Sequence, residues 1–99
     1  MSLEFDGFDW DEGNSGKNLK KHGLDGEAIE RFLLRGPLFV EDPKHSRHEQ
    51  RYLAVGKTET GRWMLVSFTF RTVDKKRLIR AISARYMHAK ELSRYEDLY

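Results

Sequence analysis

From Arg62 to Arg71 the chain changes character at every second residue. Met64, Val66, Phe68 and Phe70 fall on one side, and Trp63, Leu65, Ser67, Thr69 and Arg71 on the other. A helix would scatter these side chains around its axis, whereas an extended strand sorts them onto two faces. The neighbours extend the pattern. Arg51 to Lys57 alternates as a strand, Thr58–Gly61 carries turn chemistry, and the two runs read as a hairpin. After a turn at Thr72–Lys75, a third strand is expected over Lys76–Arg85. The centre of the chain is therefore an antiparallel meander, preceded by a short strand at Leu38–Glu41 and a polar loop at Pro43–His48.

Upstream the period is helical. Ala28, Ile29, Phe32 and Leu33 form one apolar stripe, with Asp25 at its start and Gly36-Pro37 at its end. An earlier helix is expected over Glu12–His22, capped by Asp11 and weakened by Gly13 and Gly16. Lys20, Lys21 and His22 occupy its last turn, where cations suit the helix dipole, and Gly23 follows as its C′ residue. Glu4–Trp10 reads as an edge strand, with Trp10 in the core, and His88–Tyr95 as a last helix with Leu92 and Tyr95 inward. The fold class is α+β: two N-terminal helices packed on an antiparallel β-meander with a short C-terminal helix. Residues 1–99 form a single domain. The helices are expected on one sheet face, leaving basic and aromatic side chains open on the other.

Composition narrows the chemistry. The 99 residues contain no cysteine, so thiolate metal sites, disulfides and cysteine nucleophiles are excluded. The longest uncharged apolar run, Trp63–Phe70, is too short to cross a bilayer, and no secretion signal opens the sequence, so a cytoplasmic protein with no membrane partner is expected. The formal charge of +2 hides a division. Residues 1–30 hold eight acids against three lysines, a net of −5, and residues 43–94 hold thirteen bases against four acids, a net of +9. The second stretch is a field for polyanions, and the acidic opening is expected on the helical side, away from them.

No nucleotide loop is present. His45 and His48, with Glu49 beside them, lack the spacing of a metal site, and His22 and His88 are distant, so neither metal nor cofactor is expected. Arginine is the better lead. Arg80 lies mid-strand beside isoleucine, where it must meet a carboxylate or a ligand. Simple alternation puts Leu78, Arg80 and Ile82 on one face, and Ile79, Ala81, Ser83 and Arg85 on the other. Arg51, Arg71 and Arg85, at strand ends, are candidates to converge on one surface. A guanidinium is permanently charged and donates to phosphate in a planar fork. Two such groups and one base suffice for metal-free RNA cleavage: the base takes the ribose 2′-OH proton, and the arginines stabilise the phosphorane. Glu49, His48 and His22 are the candidate bases. The same charges also suit solvated faces or salt bridges to Glu49, Asp74 and Glu91.

Several strings, in order and spacing, resemble the BrnT family of toxins. They are Trp10-Asp11, then Asn18-Leu19-Lys20-Lys21-His22-Gly23, then His45-Ser46 with Glu49 and Arg51 leading to Val55-Gly56, and finally Arg80-Ala81-Ile82-Ser83-Ala84-Arg85 with Glu91 and Tyr95. The resemblance implies a RelE-like fold and a bacterial endoribonuclease toxin of a type II toxin–antitoxin system. It also implies a DNA-binding antitoxin of the BrnA, ribbon–helix–helix type, and a possible larger toxin–antitoxin oligomer. Arg51 and Arg85 are then the arginines at the scissile phosphate, and Glu49 is the base or the group that orients Arg51. His22 is a further catalytic candidate; Lys21, Arg80, Arg71 and His48 are RNA-binding candidates. Three positions depart from the family pattern. Asn14 stands where lysine is frequent, Gly36 where aspartate precedes the proline, and Met87 where a small residue is common. The first implies a lost cation that would contact RNA or antitoxin. The alternative function is a non-enzymatic RNA- or partner-binding module that uses its basic sheet face.

Overall fold

The computed structural model describes residues 4–15 and 23–95. In chain order the elements are β1 (Gly7–Phe8), α1 (Gly26–Leu34), β2 (Leu38–Glu41), a 3-10 turn (Pro43–His45), β3 (Tyr52–Lys57), β4 (Trp63–Val73), β5 (Lys76–Tyr86) and α2 (Ala89–Tyr95). The strands form one sheet in the order β1-β5-β4-β3-β2. All neighbours are antiparallel except β1, which pairs with β5 in parallel, Gly7 opposite Leu78 and Phe8 opposite Ile79. The architecture is therefore α+β with a mixed sheet.

Helix α1 starts where an acceptor waits. The Asp25 carboxylate accepts the Ala28 N–H at 2.8 Å, satisfying one of the free donors of the first turn. Arg35 caps the other end, and Gly36, at φ +77°, turns the chain toward Pro37 in a conformation that other residues resist. Ile29, Phe32 and Leu33 are buried against Phe39, Ala54, Met64, Val66, Phe68, Ile79, Ala81 and Ala84. This first sheet face is the core. Phe68 anchors it, stacked on Tyr52 and edge-on to Phe39 and Phe70; burying such a side chain is worth about 1.5–3 kcal/mol. Trp10 also packs against this core and donates its Nε1–H to Glu30 at 2.7 Å.

Two expectations need correction. Among the described residues no helix precedes Gly26–Leu34: β1 comes first, and Asp11 to Ser15, including the described part of the expected Glu12–His22 helix, forms a turn. Residues 16–22, with Lys21 and His22, lie outside the described residues. Nor do all helices share one face. Arg85 pairs with Leu65, on the face opposite the α1 core, and α2 is tied there through Glu91.

The second face depends on a register shift. Ser67 pairs with Ser83 and Phe68 with Ala81, so Ile82 is an extra residue on β5. Such a bulge reverses the parity of alternation along the strand. Arg80 and Arg85 are five residues apart and would lie on opposite faces of a regular strand; with the bulge, both lie on the second face. Asn14 fixes the turn beside this point. It is buried, its amide donates to the carbonyls of Asp9 and Ala81 at 3.0 Å each, and its oxygen accepts the Asp11 N–H at 2.8 Å.

Candidate active site at the cationic end of the sheet

Pairing between β3 and β4 stops at Tyr52 and Phe68, while β4 and β5 continue to their turn. The β4–β5 hairpin therefore projects as an arm beside the loop that enters β3. Its turn residues, Asp74 and Lys75, have φ of +49° and +67°, the left-handed geometry of a tight two-residue hairpin. The loop is pinned by its own side chains. Asp42, largely buried, contacts His45 Nδ1 at 2.8 Å; Ser46 Oγ donates to the Asp42 carbonyl at 2.6 Å and accepts the Arg51 N–H at 2.9 Å. These bonds hold an exposed polar loop in a fixed shape.

Glu49 stands between loop and arm. It accepts Arg71 Nη1 at 2.6 Å and faces Arg51 Nη2 at 3.9 Å, beyond hydrogen-bond range. The bond from Arg71 is the main reason its carboxyl is held below the usual carboxylate range, with the charges of Arg71, Arg51 and Arg80 adding to it. An ionised carboxylate stabilised in this way is a weak proton acceptor and a good anchor for guanidinium groups. Arg51 is one-third exposed, and its guanidinium makes no hydrogen bond among the described residues. It lines a cavity of about 210 Å³ with Lys44, His45, Arg47, His48 and Glu49. Glu49, Arg51, Arg71 and His48 are thus brought together.

The other candidates lie elsewhere. Arg80 is engaged by Asp11, with bonds of 2.9 and 3.0 Å, and by Asp9 at 3.4 Å. Its guanidinium is stabilised in the charged form chiefly by the Asp11 bond, which also lowers the Asp11 carboxyl. Part of the acidic opening therefore lies against the second face and not on the helical side, because Asp9 and Asp11 neutralise the mid-strand arginine. Arg85 gives both guanidinium ends to Glu91, at 2.6 and 2.7 Å. That bond, together with the His88 N–H at 3.1 Å, lowers the Glu91 carboxyl to about 2. Arg85 shares a face with the Glu49 cluster but not a position on it. Its row crosses β4 at Leu65, and Arg51 lies just before the partner of Phe68. Four residues of strand separate the rows, about 13 Å at 3.3 Å per residue.

His45 is bound to Asp42, and among the described residues no cluster of three or more histidine, aspartate or glutamate side chains is placed to hold a metal ion. Lys44 and Arg47 line the cavity, yet sequence reasoning passed over them. The available signal was their position: two cations in a polar loop within seven residues of Arg51.

Comparison with protein families gives the chain its relatives. The sequence model of BrnT, the ribonuclease toxin of type II toxin–antitoxin systems, matches residues 10–91. The chain belongs to the BrnT family. That family is one of ribonuclease toxins, and a type II system implies an antitoxin partner. A search of curated proteins found no match. The match begins at Trp10, packed on the core, and ends at Glu91, the partner of Arg85. Two departures from the BrnT pattern are structural here. Asn14 is buried and fully bonded, so a lysine at this position would have to leave the protein interior. Met87 donates its N–H to the Trp63 carbonyl at 3.0 Å, continuing the β4–β5 ladder. No described helix is long and apolar enough to cross a membrane.

Proposed function

We propose that this BrnT toxin is a metal-independent endoribonuclease acting at the Glu49 end of the sheet. The observation that carries the reading is Arg51: its guanidinium has no hydrogen-bond acceptor among the described residues, opens into a cationic cavity, and has an ionised carboxylate behind it. Arg51 binds the scissile phosphate with its open donor edge and stabilises the charge that develops on the phosphorane. Glu49 orients Arg51 and Arg71. His48, in the same cavity, accepts the ribose 2′-OH proton. The 2′ oxygen then bonds to phosphorus, the bond to the 5′ oxygen breaks, and the leaving oxygen takes a proton from solvent water. The products are a 2′,3′-cyclic phosphate and a 5′-hydroxyl end. RNA cleavage inhibits translation and arrests growth, and a ribbon–helix–helix antitoxin of the BrnA type neutralises the toxin in the cytoplasm. His22 and Lys21 stay candidates for the same chemistry.

RNA incubated with the protein in excess chelator tests this. Cleavage with cyclic-phosphate ends is expected, and is lost in Arg51→Ala. Cleavage that stops in chelator overturns metal independence. A second reading, a non-enzymatic RNA- or partner-binding module, draws on Arg80 and Arg85, both already engaged by carboxylates. It predicts bound but intact RNA with a steep salt dependence.

A further inference from the structure

The loop from Pro43 to Arg51 carries more positive charge than one scissile phosphate requires. Lys44 and Arg47 line the same cavity as Arg51, and neither makes an ion pair or hydrogen bond among the described residues. The contrast with the sheet arginines is plain: Arg71, Arg80 and Arg85 each meet a carboxylate within 3 Å. The acids near these cations are already engaged: Asp42, just before the loop, is turned inward onto His45, and Glu49, in the cavity wall, is bonded to Arg71 and faces Arg51 at 3.9 Å. The loop therefore presents Lys44 and Arg47 with no ion pair among the described residues, on a backbone that the Asp42, Ser46 and Arg51 bonds hold in place. A cation held ready loses less freedom on binding than one on a mobile tail.

The geometry points to a second phosphate subsite, in which Lys44 and Arg47 hold the RNA phosphate that neighbours the scissile one on Arg51. This assignment rests on the ribonuclease reading for the order of the two phosphates along one strand, and its ligand is the phosphodiester backbone of a single strand. The described lining holds no Phe, Tyr or Trp beside these cations, so Lys44 and Arg47 grip backbone by charge.

The test uses the whole chain and a single-stranded deoxy-oligonucleotide, which has the phosphates of RNA but no 2′-hydroxyl to attack. Its affinity is measured over a range of salt. Each cation that neutralises a phosphate contributes about 0.7 to the slope of log affinity against log salt on a single strand. Lys44→Ala and Arg47→Ala are each expected to lower the slope by about 0.7, and the double variant by about 1.4. Arg94→Ala, which removes an exposed arginine on α2, leaves it unchanged. On RNA the two loop variants raise KM and spare kcat. Thermal melts matching wild type show that the loop still folds. Slopes unchanged in both loop variants overturn the subsite, even if the wild type cleaves RNA. Slopes that fall while RNA stays intact retain the subsite and remove the ribonuclease reading. Inorganic phosphate is titrated as a second probe. If it binds as tightly as the oligonucleotide and loses equally in both variants, the cavity is a small-anion site and the polymer subsite is wrong.

Discussion

The two ends of the second sheet face use the same chemistry to opposite effect. At one end Glu49 is bonded to Arg71 and leaves Arg51 an open donor edge. At the other, Glu91 takes both ends of the Arg85 fork and closes it. A bidentate arginine–carboxylate pair has the geometry of an arginine–phosphate pair, so Glu91 occupies the place on Arg85 that a phosphate would need. A carboxylate beside an arginine can thus prepare it or cap it, and the number of bonds between them decides which. The sharpest way to break the contrast is to remove each arginine in turn. Arg51→Ala should reduce cleavage by about 10²–10³, the usual cost of one lost donor at a developing oxyanion, with little change in melting temperature. Arg85→Ala should lower cleavage by less than tenfold. Single-turnover rates on one RNA check both. If Arg85→Ala abolishes cleavage while the fold is intact, RNA must displace Glu91, and the two ends form one extended site.

Asn14 tests how the two ends come to share a face. It ties the turn after β1 to Ala81, next to the extra residue Ile82, and the bulge there sets Arg80 and Arg85 on one side. Asn14→Ala leaves the Asp9 and Ala81 carbonyls and the Asp11 N–H without their partner. Unsatisfied buried groups of this kind cost about 1–3 kcal/mol. Chemical denaturation should show that loss. Cleavage at the Glu49 end should be less affected than stability, because Arg51 and Glu49 reach their places through the loop and not through β5. Equal losses of both would show that the bulge also positions the reactive end.

Much of the frame could be read from residue order. The faces of β4, the limits of β2, and the cap at Asp25 follow from alternation and capping chemistry, both local properties. The bulge at Ile82 could not be read that way. Alternation predicts a face only while each residue has one partner, and nothing in the Ala81–Ala84 run announces a residue without one. The partners of the arginines were equally hidden. Asp11 and Arg80 are 69 residues apart, and only the parallel pairing of β1 with β5 brings them together. Asn14 read as a lost cation in the expected first helix. In the structure it lies in the turn at Asp11–Ser15 and is buried. Of the candidate site, the loop pair Glu49 and Arg51 was legible because the two are close in sequence. The separation of Arg85 from them depended on register.

The closed end is sharpened by stability. Arg85→Ala strands a half-buried carboxylate, and Glu91→Gln leaves a guanidinium with a poorer partner. Partly exposed pairs of this kind contribute about 1 kcal/mol after solvent screening, a shift of roughly 4–8 °C in a domain this small.

The same pair has a pH signature, and it is the smallest effect. Glu91 titrates at about 2 in the folded protein, held down mainly by Arg85, against an ordinary value of 4.5. Because the folded value is the lower one, the unfolded chain binds the extra proton as the medium becomes acid. The stability supplied by the pair is therefore complete above pH 4.5 and fades as the pH falls toward 2. Denaturation of wild type and Glu91→Gln at a series of pH values isolates it. Their difference should be constant from neutrality to about pH 4.5 and shrink below. Glu49 and Asp11 are also lowered, so both proteins will lose stability in acid, but those contributions cancel in the comparison. A difference that stays flat to pH 2 would mean that Arg85 and Glu91 are apart in solution. Arg85 would then be open, like Arg51, and the contrast between the two ends would disappear.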